Sequence, residues 1–246
     1  MTKKIGEHIE RFCFYFEDES QRIDAVDFDK DKFKEPSLHD SQLLLYKKTL
    51  LVTALDALAG VRFPEAKYPA LHRKNEKRFT RFIRECAKWE NGSLVSSLFL
   101  LKELKSINSP NDSLSGYLKS KVDHISGYEG GITMFTKVDE PPESLLPLAA
   151  SEKEEDAIWK YQHYALLYRY RCCLVHESKQ PGLGMDLTAY EQPYYHGDMS
   201  GHERELTYPL PLFQQLLKTS ITNLKQYLVA NKVDPYEGLG KDKSRW

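Results

Sequence analysis

Apolar residues return every three or four positions along most of this chain, and that spacing constrains its fold more than any other feature. In KIGEHIERFCFYF, residues Ile5, Ile9, Phe12, Cys13 and Phe16 share one face of a helix turning about 100° per residue. The stretch HDSQLLLYKKTLLVTALDALAG follows a polar N-cap, Asp40 or Ser41, and meets a stop at Gly60. A long helix is predicted there, with Leu43, Tyr46, Leu50 and Leu58 toward the core. NEKRFTRFIRECAKW is amphipathic, Asn91-Gly92 interrupts it, and SLVSSLFLLKELK resumes behind a serine cap. LPLFQQLLKTSITNLKQYLVA reads as the last helix, followed by a tail at about 232–246.

Two stretches break the pattern. GYEGGITMFTKVDEPPESLLPLAA carries Gly-Gly and Pro-Pro breakers and reads as mostly loop. The run after His176, through Gly197 and Gly201, alternates and is rich in tyrosine, as an irregular insert with room for a short β-hairpin would be. With 246 residues and 41% hydrophobic content, the chain can bury a substantial core. The expectation is an all-α bundle, one domain over residues 1–246, with the irregular insert ahead of the C-terminal helix.

A formal net charge of −1 excludes a protein held to polyanions by bulk charge. Nucleic-acid contact would have to be local. One local excess exists: Lys67, Arg73, Lys74, Lys77, Arg78, Arg81, Arg84 and Lys88 face only Glu65, Glu76 and Glu85. Cys13, Cys86, Cys172 and Cys173 form no C-x-x-C pair and lack zinc-ligand spacing, which fits buried thiols in a reducing cytoplasm and no bound metal or cofactor. No apolar run approaches the length of a membrane span, so no membrane contact is expected.

The stretch YRYRCCLVHESKQPG, residues 168–182, is the chemical oddity. Taken as one helix from Glu154 to about Glu177, its surroundings are apolar on nearly every side, as in a buried helix. Charges placed there are costly unless paired or opened to a cleft. Arg169 and His176 are seven residues apart and fall within roughly 20° of each other, whereas Arg171 and His176, five apart, splay by about 140° unless the helix ends near the histidine.

The run RCCLVH, Arg171 to His176, resembles the R-x4-6-H signature of the HEPN superfamily, and Arg169 satisfies the longer spacing. The resemblance covers that motif and the all-α layout. It implies a helical bundle with the motif on a late helix, two motifs meeting across a homodimer cleft, and metal-independent RNA cleavage, often in toxin or defence settings where a protein inhibitor is a partner. Cys172 stands where the family often carries a polar residue. That departure supports the alternative, a non-catalytic module that binds a nucleotide, RNA or a protein.

The residue types suit the chemistry. A histidine titrates near neutrality and can move a 2′-hydroxyl or leaving-group proton, and a guanidinium forks onto phosphate oxygens. His176 is therefore assigned as acid or base, Arg171 as phosphate clamp, Arg169 as its alternate, and Glu177 as a group that could orient the imidazole. Arg73, Lys74, Lys77, Arg78, Arg81 and Arg84 would guide the RNA backbone, and Tyr194 and Tyr195 would offer stacking surfaces.

Overall fold

The computed structural model describes residues 3–32, 35, 39–107, 112–126, 131–181, 186–197 and 204–237. In chain order its α-helices are α1 (Lys3–Ala25), α2 (His39–Arg62), α3 (Asn75–Phe82), α4 (Ser97–Ser106), α5 (Asp112–Ser126), α6 (Pro142–Leu145), α7 (Glu152–Lys160), α8 (His163–His176) and α9 (Leu210–Asn231). Three short strands, β1 (Thr133–Met134), β2 (Tyr194–Gly197) and β3 (Arg204–Thr207), complete a mostly helical fold. The β2–β3 hairpin lies in the insert ahead of α9, as its alternating tyrosines suggest. β2 is central, pairing Tyr195 with Thr133 of β1 and with Leu206 of β3. Among the described residues, no helix is long and apolar enough to cross a membrane.

The chain forms two compact units. One comprises Met1–Trp89, Leu174–Lys179 and Phe213–Trp246, and the other Glu90–Cys173 and Gln180–Leu212. In the first, α2 packs on α1 and α3. Ile9, Phe12, Cys13 and Phe16 of α1 are buried as their spacing predicts. The face of α2 differs from expectation. Leu51, Val52, Leu55, Leu58 and Ala59 are buried, Leu43 and Leu50 are half-buried, and Tyr46 is exposed. Apolar residues occupy so many positions of this helix that more than one phase of the wheel satisfies the pattern. Nor does Gly60 stop it, since the helix continues to Arg62.

In the second unit α4 packs on α5 and α7, and α6 on α7. Ser96 caps α4 by accepting from the Phe99 N–H, satisfying one of the unpaired donors of the first turn. Ser151 caps α7 in the same way through the Glu154 N–H. The breaker-rich stretch is more ordered than expected, holding β1, a 3-10 turn at Phe135–Lys137 and the four-residue α6.

The helix expected from Glu154 to Glu177 is two helices. Tyr161 and Gln162 leave helical geometry because their stretch pairs with the extended Leu94–Ser96 segment instead. The Ser96 N–H donates to the Tyr161 carbonyl at 3.0 Å, and the His163 N–H donates to the Leu94 carbonyl at 2.9 Å. Backbone groups satisfied across the fold do not need an intrahelical partner.

Candidate functional site

That break resets the wheel on which the arginines sit. In α8 the buried residues His163, Leu166, Leu167, Tyr170 and Leu174 recur at three- and four-residue steps, so the helix has an ordinary apolar stripe. Arg169 and Arg171 flank it, half-buried, and His176 and Glu177 are exposed. The arginines therefore do not lie inside an oily helix, which corrects the premise that set them apart. His176 is the final residue of α8. Beyond it Ser178 turns into left-handed geometry, with φ 50°.

The two arginines have different surroundings. Arg169 Nη2 donates to the carbonyl of Lys160, the last residue of α7, at 3.0 Å, and its guanidinium lies 4.9 Å from the centre of the Tyr161 ring. It closes the C-terminus of α7, where a cation is favoured. Arg171 lies 5.7 Å from the Tyr168 ring centre, with Nη1 3.9 Å from Cys172 Sγ. The carboxylate of Glu177 pairs with Lys179 at 2.5 Å.

Beside Arg169, Glu103 accepts from the Tyr161 hydroxyl at 2.8 Å and from the Lys160 ammonium. The bond from Lys160, followed by that from Tyr161, holds the Glu103 carboxyl below its usual range. The same Glu103 bond raises the Lys160 ammonium. Glu103 thus contributes stability that is present above the ordinary carboxylate range and lost as pH falls through its depressed value. Lys160 contributes below the ordinary lysine range and loses its share as pH rises through the raised value. Glu103→Gln should flatten both edges of a stability-versus-pH curve, costing about 1 kcal/mol at neutral pH because the pair is partly solvated. Thermal melts across pH check it.

The N-terminal end of α8 is anchored by a buried polar network. The side chains of Asp139 and His163 are both fully enclosed, with His163 Nε2 2.8 Å from Asp139 Oδ2. A carboxylate only accepts, so Nε2 carries the proton. Asp139 also accepts the Ser97 N–H at 2.9 Å and the Tyr195 hydroxyl at 2.8 and 2.9 Å. With its proton spent on Asp139, Tyr195 receives one from Ser96 Oγ at 2.7 Å. Tyr208 lies 2.8 Å from His163 Nδ1. Burial, then the Asp139 carboxylate, hold the phenols of Tyr195 and Tyr208 well above the usual tyrosine range, so both stay protonated as donors.

Tyr194 and Tyr195 are fully buried, Tyr194 accepting the Leu187 N–H at 2.7 Å. Neither ring presents a face on which a base could stack. Alternating aromatic residues mark the inner face of a hairpin as readily as a binding surface, and here they mark the inner face.

The basic residues of the other unit lie on and around α3. Arg73, Lys74, Lys77, Arg81 and Arg84 are exposed and Arg78 is half-buried, its Nη2 donating to Asn75 at 3.2 Å. After α3 the chain makes one π-helical turn, Ile83–Ala87, and Asn223 Nδ2 donates to the Cys86 carbonyl within it at 2.7 Å. That turn carries Glu85, which bridges two arginines: Arg62 Nη2 at 2.9 Å and Arg81 Nε at 2.7 Å. Sequence reasoning missed Arg62 and its neighbour Tyr68, whose hydroxyl accepts Arg62 Nη1 at 3.0 Å. An arginine closing a long helix and a tyrosine after a proline turn give no periodic signal.

Among the described residues, no group of three or more histidine, cysteine, aspartate or glutamate side chains is placed to hold a metal ion. Burial pushes the thiols of Cys13 and Cys86 up to about 11, so neither is a ready nucleophile. Cys172 and Cys173 are half-buried. No protein-family model matches the chain, and no curated protein or solved structure does either.

Proposed function

We propose that this chain is a metal-independent endoribonuclease of the HEPN type, acting as a homodimer in a reducing cytoplasm. The observation that supports this most is the exposure of His176 as the last residue of α8, where an imidazole can reach a substrate. In this reading His176 takes the proton of a ribose 2′-hydroxyl. The freed oxygen attacks the adjacent phosphorus, the bond to the 5′-oxygen breaks, and a proton returns to that leaving oxygen as the 2′,3′-cyclic phosphate forms. Arg171 holds the phosphate oxygens as charge builds on them. Both residues lie within α8 and leave its axis about 140° apart, so in this scheme the clamp and the imidazole acting on one phosphate come from the two motifs that meet across the dimer cleft. Arg169, engaged with the end of α7, is a structural residue in this scheme.

A second reading is a non-catalytic RNA-binding module of the same superfamily. It is favoured by the engagement of Arg169 with the end of α7 and by Cys172 at the usually polar position. Incubation with RNA in the presence of a chelator separates the two. Cleavage by the wild type and none by His176→Ala supports the nuclease, equal cleavage by both removes it, and binding without turnover favours the module.

A further inference from the structure

A cluster in the Arg62–Glu85 region has the makings of a ligand site apart from the cleavage chemistry, although one of its residues, Arg81, also belongs to the basic face read from the sequence as an RNA guide. At its base the Arg62 guanidinium is enclosed, its side chain 12% exposed. It lies 3.7 Å from the centre of the Tyr227 ring and 4.5 Å from that of Phe63. Its two terminal nitrogens serve Tyr68 and Glu85. Arg62 is thus fixed and its charge is met by Glu85.

The outer part of the cluster is differently placed. Tyr68 accepts from Arg62, and its phenol also feels that of Tyr227. Burial alone would raise its phenol, but the Tyr227 hydroxyl, the Arg62 guanidinium and the Lys67 ammonium together bring it below the usual tyrosine range. The Tyr68 oxygen keeps the bond from Arg62 while its hydroxyl can turn its own proton toward an incoming acceptor. A phenol whose oxygen accepts from a cation is a strengthened donor.

Two cations lie near the Tyr68 ring. The Arg81 guanidinium lies 5.7 Å and the Lys67 ammonium 5.9 Å from the centre of the Tyr68 ring. Arg81 is tied to Glu85 through Nε alone, so among the described residues its two terminal amino groups have no partner. Lys67 is exposed. With the Glu85 carboxylate engaged by Arg62 and Arg81, three groups here can still donate: the Tyr68 hydroxyl, one guanidinium edge and one ammonium. Their complement is a group that only accepts and carries charge at several oxygens.

We infer that Lys67, Tyr68 and Arg81 form a phosphate-binding site, with Arg62, Glu85, Phe63 and Tyr227 as its rigid support. The phosphate can come from a free or terminal phosphate group or from the diester backbone of a nucleic acid. The site stands whether or not His176 cuts RNA, since none of its residues takes part in that chemistry.

Calorimetric titration of the intact chain tests it, using inorganic phosphate, a single-stranded oligoribonucleotide with a 5′-phosphate, and the same oligonucleotide without one. Tyr68→Phe, which keeps the ring, and Arg81→Ala should each weaken binding roughly tenfold or more, as loss of a bond to a charged group does. Arg81→Lys should recover part of the loss. Binding of inorganic phosphate or a preference for the 5′-phosphate identifies a free or terminal group, and equal binding of the two oligonucleotides identifies the diester. Ultraviolet titration supplies an independent readout. One phenol should ionise below the others, disappear in Tyr68→Phe, and move upward when the phosphate-bearing probe is added, because a bound anion opposes phenolate. Failure of all three probes to bind, or affinities unchanged by both substitutions, overturns the site.

Discussion

Replacing Asp139 with alanine should lower the unfolding free energy by about 3–5 kcal/mol, the range for breaking an enclosed charged network by removing one partner. Its carboxylate satisfies three donors at once: the Ser97 N–H, the Tyr195 hydroxyl and His163 Nε2. Alanine would strand all of them away from water, and each stranded donor costs about 1–3 kcal/mol before the structure relaxes. The damage would reach beyond one residue. Ser96 caps α4 and donates to Tyr195, while His163 opens α8, so the first turns of two helices depend on a single carboxylate.

Asp139→Asn should cost less than alanine. An asparagine keeps one accepting oxygen for Ser97 and Tyr195, and its amide can donate to His163 Nε2 if the imidazole moves its proton to Nδ1 and donates to the Tyr208 oxygen. Tyr208→Phe, which removes one bond from the edge of the network, should cost about 1–2 kcal/mol. Urea unfolding of the three variants checks the order. A loss below about 1 kcal/mol for Asp139→Ala would show that the network has no acceptor at its centre and that the account of how α8 is anchored is wrong.

The residues that could be read from the sequence are those whose role repeats along the chain. Ile9, Phe12, Cys13 and Phe16 recur with the helical period and are buried, and the periodic run from Leu210 became α9. Where the pattern was too rich, as in α2, it left the phase open and Tyr46 turned outward. Where it was too sparse it went unread: α5 buries Leu114, Leu118 and Val122, a narrow row of single residues four apart. The break at Tyr161 and Gln162 was illegible for a further reason. Its cause lies in the Leu94–Ser96 segment, more than sixty residues earlier. The same holds for Asp139. In the sequence it is one acid in a breaker-rich stretch, and only its approach to Ser97, His163 and Tyr195 makes it the centre of a core. Arg169, Arg171 and His176 could be picked out as a set, but the bond that Arg169 makes to the Lys160 carbonyl depends on where α7 ends.

That bond gives the nuclease reading its most discriminating result. His176→Ala should reduce RNA cleavage by roughly 10²–10⁴-fold, the contribution of a positioned acid or base. Arg171→Ala should cost roughly 10²–10³-fold, as loss of a donor that meets transition-state charge does. Arg169→Ala should leave the cleavage rate within a few-fold of wild type and instead lower thermal stability, since its guanidinium closes α7 and covers Tyr161. Single-turnover cleavage in chelator, with melting of each variant alongside, separates the two kinds of loss. If Arg169→Ala abolished cleavage in a stably folded protein while Arg171→Ala did not, the clamp would belong to the arginine that shares the histidine's side of an ideal helix. The end of α7 would then have to release Arg169 when RNA binds, and the bond from Arg169 to Lys160 would mark a resting state.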